Sequence, residues 1–512
     1  MHRHYPSPIT IKRLLAGLEG CRVQGDENLV VTGVAYHSGE VEPGGVFVAL
    51  KGVRTDGHRF IHDAIRRGAA AIVTEAELEA PAGVTVVRVA QARLALAHLS
   101  AAFYGHPSRE LTLVGITGTN GKTSTAYLLE AILSRAGHTV GVLGTINYRA
   151  GQQTWPAPVT TPESLDLQRL LRAMRATGVS HVCMEVSSHA LDLRRVDGAA
   201  FDVGVFTNLS QDHLDYHRDL EDYFAAKSRL FLEILGNGAA APGLAVLNLD
   251  DPRGHELHRR VRVPALTYGC HPDSQVRPLT YKFRPDGIEA RLTSPMGEME
   301  IVSPLVGPFN LANILAAAAT ALGLGLAPEA VARGITALTG VPGRLERFGP
   351  PDGPAVFVDY AHTPAALSQA LRALQQLDFS RIITVFGCGG DRDRKKRPLM
   401  GRAAAAGSQL VVVTSDNPRS EEPLAIIQEI EPGIKAAGLD KITEAAAKQG
   451  KRGYVAVPDR REAIRLAVAL AHSSDAVLVA CKGHENYQIW GSERRHFDDR
   501  EEVAEALKDV HI

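Results

Sequence analysis

The feature that most constrains this chain is Gly115-Ile116-Thr117-Gly118-Thr119-Asn120-Gly121-Lys122-Thr123-Ser124. The apolar, β-branched run Leu111–Val114 precedes it and predicts a buried strand. Thr125–Leu133 follows with helical periodicity. Strand, glycine-rich turn, Lys-Thr, helix is an arrangement that binds polyphosphates. Gly118 and Gly121 let the turn point backbone N–H groups at phosphate oxygens, and the helix N-terminus adds positive partial charge. Lys122 can reach the outer phosphates, and the Thr123 hydroxyl can hold Mg²⁺. One position departs from the usual G-x-x-x-x-G-K-[ST] spacing: Ile116 stands where a glycine is common.

Apolar runs of similar kind recur on both sides of this loop. Val46–Leu50 and Ala70–Val73 predict strands in a first region, residues 1–105, closed by a linker at Gly105-His106-Pro107-Ser108. Leu111–Ile116, Thr139–Leu143, His181–Val186, Phe201–Phe206 and Leu244–Leu247 predict strands in a second, 106–343, ending at a hinge, Gly340-Val341-Pro342-Gly343. Ala355–Val358, Arg381–Phe386, Gln409–Thr414 and Ala476–Ala480 do so in a third, 344–512. Strands alternating with helices predict α/β domains with largely parallel sheets, and 512 residues suit about three of them. The Ala-rich stretch Leu311–Leu326 is shorter than the ~18 apolar residues of a membrane span and reads as a buried helix.

Composition narrows the partners. A formal net charge of −1 gives no field favouring nucleic acid, and the N-terminus lacks a signal peptide's apolar core. The five cysteines are scattered without a C-x-x-C pair, so neither a disulfide framework nor a cysteine zinc site is expected, and a reducing cytoplasm is.

In parallel sheets ligands collect at the carboxyl ends of strands, and polar clusters fall there. Glu185, ending the strand beside the phosphate loop, can complete a Mg²⁺ shell with Thr123. His213 and His217 are four apart, but Leu214 occupies the place of the glutamate in H-E-x-x-H, which excludes that zinc motif; His213 reads better as a ligand of a second Mg²⁺. Lys227, from its residues alone, reads as an ordinary exposed helix lysine. Gly387-Cys388-Gly389-Gly390-Asp391-Arg392 has arginine in place of a third glycine, which excludes an NAD fingerprint. Arg392–Arg397 is a basic run with mostly solvated side chains. With Asp416-Asn417-Pro418-Arg419 and Glu485 it reads either as a pocket that clamps a carboxylate and receives an ammonium, or as surface charge.

Taken in order, Gly118–Thr123, Glu185–His189, Thr207–Asp215, Tyr223–Lys227, Gly307–Asn313, Gly343–Glu346, Asp359–Pro364 and Asp416–Arg419 resemble the Mur ligase family over nearly the whole chain. The phosphate loop with Ile116 is the family's own variant. The resemblance implies three domains: an N-terminal α/β domain for a UDP-sugar, a central ATP-binding domain, and a C-terminal Rossmann-like domain for an incoming amino acid. It implies ATP-dependent amide ligation through an acyl phosphate in cytoplasmic peptidoglycan synthesis, and so a part in cell shape and division. The expected substrates are ATP, UDP-MurNAc-L-Ala-D-Glu and, because Asp416-Asn417-Pro418-Arg419 resembles the diaminopimelate-selecting version of its motif, meso-diaminopimelate. It further implies that Lys227 is carbamylated by CO₂ and joins His213 on the second Mg²⁺, overriding the exposed-lysine reading.

By the same resemblance Gly118, Thr119, Asn120, Gly121, Lys122, Thr123, Asn310, Arg344 and Asp359 contact ATP. Thr160, Thr161, Ser187 and Arg195 hold the muramoyl dipeptide, and Ser38 the uridine. Arg392, Asp416, Asn417, Pro418, Arg419, Cys481 and Glu485 hold the amino acid. Three positions depart from the family: His37-Ser38-Gly39 replaces Asp-Ser-Arg, Leu193 replaces a glutamine, and Cys481 replaces a glycine, a change that a backbone contact tolerates best. A monomer is expected. The alternatives are a lysine-adding or folylpolyglutamate-type ligase on this scaffold, or a nucleotide-dependent switch that performs no ligation.

Overall fold

Short apolar strands, buried on both faces, carry the phosphate loop. The computed structural model describes residues 8–510 apart from 53–54, 152, 214, 238–241 and 351–352. The start of the chain read for a signal peptide, and Leu214 of the His213 motif, lie outside the described residues. Contacts divide the chain into two units, one holding the residues up to Arg277 with Ser294–Gly297 and Leu315–Gly334, the other holding the rest.

In the first unit the strands are β1 (Thr112–Thr117), β2 (Val140–Leu143), β3 (His181–Glu185), β4 (Val203–Phe206), β5 (Leu244–Asn248) and β6 (Ala265–Tyr268). They lie parallel in the order β2-β3-β1-β4-β5-β6, and an antiparallel hairpin, Asn147–Ala150 with Gln153–Pro156, extends the β2 edge. The register sets Glu185 beside Ile116 and Phe206 beside Thr117. The carboxyl ends of β1, β3 and β4 therefore finish level, which brings the phosphate loop, Glu185 and Thr207 to one edge. Ile116 is a fully buried strand residue, so the loop's turn begins after it and needs no glycine there.

A five-stranded sheet precedes this one, in the order Arg22–Gln24, Thr85–Arg88, Ala71–Thr74, Val46–Val48, Val34–Ala35. It packs Val46, Val73 and Val87 against Leu96, Leu99 and Phe103 of the helix Ala92–Phe103. The expected linker Gly105–Ser108 is not a free connection. Pro107–Glu110 forms a 3₁₀ turn with Pro107 and Ser108 buried, and Ser108 Oγ accepts a hydrogen bond from Ala200 N at 3.0 Å. A buried hydroxyl with a backbone partner makes that segment part of the core.

The second unit holds β7 (Ala355–Asp359), β8 (Arg381–Phe386), β9 (Leu410–Val413), β10 (Gly453–Ala456) and β11 (Asp475–Ala480), parallel in the order β7-β11-β8-β9-β10. Apolar layers cover both faces, one around Phe357, Phe386 and Ile430, the other around Val358, Ile464 and Val503. The stretch Gly340–Gly343 is an irregular turn in this unit with Val341 buried. The run Leu311–Leu326 falls largely in the helix Pro308–Gly323, buried from Ile314 to Ala319, and no described helix is long and apolar enough to cross a membrane.

Arg460 and Asp499 form a fully buried pair at 2.7 Å. The guanidinium also donates to Ser415 O and Ala480 O, just past β9 and at the end of β11. Its hydrogen-bonding capacity is thus used inside, which is what makes a buried charge tolerable. The pair ties together the segment past β9 and the end of β11.

Candidate active site

The phosphate loop is held by the end of the neighbouring strand. Thr119 N donates to Asn208 O at 2.8 Å and Asn120 N to Asn208 Oδ1 at 3.0 Å, while Thr207 Oγ1 donates to Asn120 O at 2.6 Å. Gly118 has φ +148°, and a Cβ there would lie 1.9 Å from Thr207 Oγ1, so the close approach of the two segments demands glycine. Gly121, at φ +89°, caps the helix Lys122–Arg135. Lys122 Nζ folds onto the loop and donates to Gly118 O at 2.8 Å and Thr119 O at 2.9 Å.

Two metal-ligand candidates meet directly: Thr123 Oγ1 donates to Glu185 Oε1 at 3.0 Å. Glu185 is 2 % exposed, accepts also from Thr145 N and Oγ1 at 2.9 Å, and has no ion pair with a cation among the described residues. A buried carboxylate satisfied only by neutral donors suits a divalent cation. Among the described residues no three His, Cys, Asp or Glu side chains gather as a ready cage. Thr145, just past the end of β2, went unassigned from sequence; its signal was a polar residue following a buried strand.

Lys227 corrects the reading made from its residues alone. It is 1 % exposed on the helix Leu220–Arg229, its Nζ donates to Gly118 O at 2.9 Å, and it lies 4.5 Å from the Tyr223 ring centre. Burial, with Lys122 adding to it, pushes the Lys227 ammonium pKa well below the usual lysine range. The amine at this position is therefore one that readily gives up its proton. His213 has φ +53° and sits within the electrostatic reach of Lys122 and Lys227; burial lowers its pKa. His217 is buried and shares a 3.0 Å hydrogen bond with Ser188 Oγ, so it is committed to the fold.

The proposed dipeptide residues are brought together from three segments. Thr161 Oγ1 donates to Glu185 O at 2.8 Å and lies 3.3 Å from Ser187 Oγ, Arg195 donates to Thr161 O at 3.2 Å, and Thr160 Oγ1 is 3.1 Å from Thr145 Oγ1. Arg195 also faces Glu163 at 3.4 Å. Ser38 stands in a separate 3₁₀ turn, Ser38–Glu40, beside Asp63.

In the second unit Asn310 is buried; its Nδ2 donates to Val306 O at 2.8 Å and its Oδ1 accepts from Asn313 Nδ2 at 3.0 Å. Asp359 accepts from Leu345 N at 2.7 Å and Ala361 N at 2.8 Å; burial raises its pKa, and Arg344 opposes that. Arg344 lies over the Tyr360 ring at 5.2 Å.

The amino-acid candidates gather past the ends of β8, β9 and β11. Gly389 is their common neighbour: a Cβ there would lie 2.9 Å from Arg419 NH1, 3.6 Å from Arg392 Cγ and 3.7 Å from Asp416 Oδ2. Arg419, at φ +53°, donates from NH1 to Gly390 O at 2.8 Å, and its backbone N–H donates to Ile489 O at 3.0 Å. Asn417 Nδ2 donates to Glu485 Oε2 at 3.2 Å. Pro418 is buried, and its carbonyl oxygen would meet a Cβ on Gly390 at 1.8 Å. Cys481 has φ +91°, the left-handed region where glycine is at ease, and its Sγ lies 3.1 Å from Gly387 O. Arg397 departs from the solvated basic run: it is 1 % exposed and pairs with Glu421 and Glu429 at 2.7 and 2.8 Å. Lys482, unassigned from sequence, is buried among Asp416, Asn417 and Glu485.

Three family models match the chain in order: the Mur ligase family catalytic domain over residues 30–104, the Mur ligase middle domain over 116–321, and the Mur ligase glutamate ligase domain over 343–483. The chain belongs to the Mur ligase family. That membership makes it an ATP-dependent amide ligase. Its relatives include two proteins named UDP-N-acetylmuramoyl-L-alanyl-D-glutamate–2,6-diaminopimelate ligase. The one from Geobacter metallireducens is 52 % identical over 94 % of this chain and 95 % of its own length. The one from Geobacter sulfurreducens is 50 % identical over 95 % and 96 %. A solved structure of a ligase of the same name has a TM-score of 0.73 at 31 % identity, covering 99 % of this chain and all of that one.

Proposed function

We propose that this Mur ligase joins meso-diaminopimelate to UDP-N-acetylmuramoyl-L-alanyl-D-glutamate, driven by ATP, in cytoplasmic peptidoglycan precursor synthesis. Relatives carrying that activity in their names share half of its residues along nearly the whole chain. The observation that carries the choice of amino acid is that Arg419 and Asp416 both approach Gly389, while Glu485 is held by Asn417, the residue between Asp416 and Pro418. Diaminopimelate ends in both a carboxylate and an ammonium, and a guanidinium set beside carboxylates complements both.

The three functional regions are 1–105 for the UDP-sugar, 106–343 for ATP and 344–512 for the amino acid. The dipeptide sits on Thr160, Thr161, Ser187 and Arg195, with Ser38 toward the uridine. Its D-Glu γ-carboxylate attacks the γ-phosphorus of ATP; ADP leaves and an acyl phosphate forms. The amine of diaminopimelate then attacks the acyl carbon, the C–O bond to phosphate breaks, and inorganic phosphate leaves as the amide forms. Lys122 leaves its loop carbonyls to meet the transferring phosphoryl group, and the loop N–H groups hold the remaining phosphates. Asn310, Arg344 and Asp359 hold the rest of the nucleotide. Thr123 and Glu185 would hold one Mg²⁺, and His213 with carbamylated Lys227 a second. When bound, these ions neutralise the phosphate oxygens that repel the attacking carboxylate. The buried amine of Lys227 adds CO₂ in its neutral form, losing a proton and becoming an anion. Arg392, Asp416, Asn417, Pro418, Arg419, Glu485 and the Cys481 backbone hold the amino acid.

Phosphate release measured with each reactant omitted in turn tests this reading. Release that requires dipeptide, diaminopimelate and ATP together is expected. Hydrolysis of ATP alone at the full rate would identify a nucleotide switch instead.

A further inference from the structure

Lys482 has no part in the chemistry above, yet it lies at the centre of the pocket. It is 0 % exposed. Its Nζ is 3.3 Å from Asn417 Oδ1, 3.3 Å from Glu485 Oε2 and 3.6 Å from Asp416 Oδ1, with the Tyr487 ring centre at 5.5 Å. Its orientation is enforced by the chain. Cys481 at φ +91° and Gly483 at φ +53° flank it, so two successive departures from extended backbone bracket the one residue. Asn417 is fixed as well: its Oδ1 also accepts from Ile489 N at 3.0 Å, and its Nδ2 donates to Glu485. Asp416 Oδ1 is buried with no hydrogen-bond partner, an acceptor left open within reach of this ammonium.

The charges around this point have a simple consequence. Asp416 and Glu485 alone would present two negative charges, a receptor for any alkylammonium. Lys482 offsets one of them, at 3.6 Å from the Asp416 that shares the neighbourhood of Gly389 with Arg419, so a ligand that brings only an ammonium meets a pocket already half neutralised and offers the guanidinium no carboxylate. A ligand end carrying an ammonium and a carboxylate together meets complementary charge on both. We infer that Lys482 is a specificity-determining residue that rejects amino acids whose far end is an ammonium without a carboxylate. The inference rests on the amino-acid pocket proposed above.

The test uses the full-length protein with saturating ATP and UDP-dipeptide, and compares kcat/KM for meso-diaminopimelate with that for lysine. Lys482→Met is expected to narrow the diaminopimelate-to-lysine ratio about 10-fold or more, with KM for ATP unchanged. Lys482→Arg, which keeps the charge, is expected to hold the ratio. A merely structural role would lower both substrates together, so a ratio within about two-fold of wild type in the folded Met variant overturns the inference. Lys482→Gln, uncharged but still a hydrogen-bond donor, is read in the same way if the Met variant fails to fold; failure of both to fold also overturns it. Wild-type protein that ligates diaminopimelate while the ratio stays fixed sinks only the Lys482 argument. Wild-type protein that ligates neither amino acid sinks the proposed function, and this inference with it.

Discussion

The ends of β1, β3 and β4 and the ends of β8, β9 and β11 solve the problem of positioning in different ways. At the first, backbone groups do most of it: Gly118 allows Thr207 and Asn208 to lie against the loop, and the helix start at Lys122 aims N–H groups outward. At the second, side chains do it, and most are already paired with one another: Lys482 with Glu485, Arg397 with Glu421, Arg460 with Asp499. A site made of backbone accepts what every nucleotide shares, its phosphates. A site made of paired side chains discriminates, because a ligand must satisfy each charge it displaces.

If that contrast is right, the largest effect should come from the loop. Lys122→Ala is expected to lower kcat for ligation about 100- to 1000-fold with every amino acid offered, measured by phosphate release. A loss confined to one amino acid would break the contrast. Arg419→Ala is expected to lower kcat/KM for diaminopimelate about 100-fold and leave KM for ATP unaltered; equal losses for both would mean the pocket is not a separate recognition element. Arg460→Ala strips the partner from buried Asp499 and is expected to destabilise the second unit by about 3–5 kcal/mol. Trp490 lies in that unit and Trp155, the other tryptophan, in the first. Denaturation followed by fluorescence in a Trp155→Phe background therefore reads the second unit. The smallest effect should be that of Cys481→Gly. With φ already at +91° the backbone is unchanged by the substitution, and kcat/KM for diaminopimelate should stay within about two-fold of wild type. A larger loss would assign a role to the thiol.

The same contrast explains what could be read in advance. Parallel strands buried on both faces are continuous apolar runs, so β1, β3, β8 and β11 stood out, and the glycine-lysine turn after β1 announced the phosphate loop. The hairpin Tyr487–Trp490 with Glu493–His496 did not, because its strands are short and mostly exposed or half-exposed, yet its Ile489 donates to the Asn417 side chain and accepts from the Arg419 backbone. Lys227 was misread because a lysine on a helix is ordinarily solvated. Its spacing from Tyr223 and Leu230, both buried, carried the opposite signal: 223, 227 and 230 share a helix face. The burial of Arg397 and Lys482 depends on partners tens of residues away, Glu421 and Asp416 among them, and no local pattern encodes it. Resemblance to the Mur ligases pointed to residues that lie together past the ends of β8, β9 and β11, but not to Lys482 among them.

The central claim is that a carboxyl group activated at the phosphate loop is passed to an amine chosen for its second acid group. Incubating the protein with ATP, Mg²⁺, UDP-MurNAc-L-Ala-D-Glu and equal concentrations of meso-diaminopimelate and lysine, then weighing the product by mass spectrometry, tests it directly. The account predicts a UDP-linked tripeptide that carries diaminopimelate almost exclusively. Lysine incorporated to a similar extent, or no amide from a folded protein that binds ATP, would contradict it.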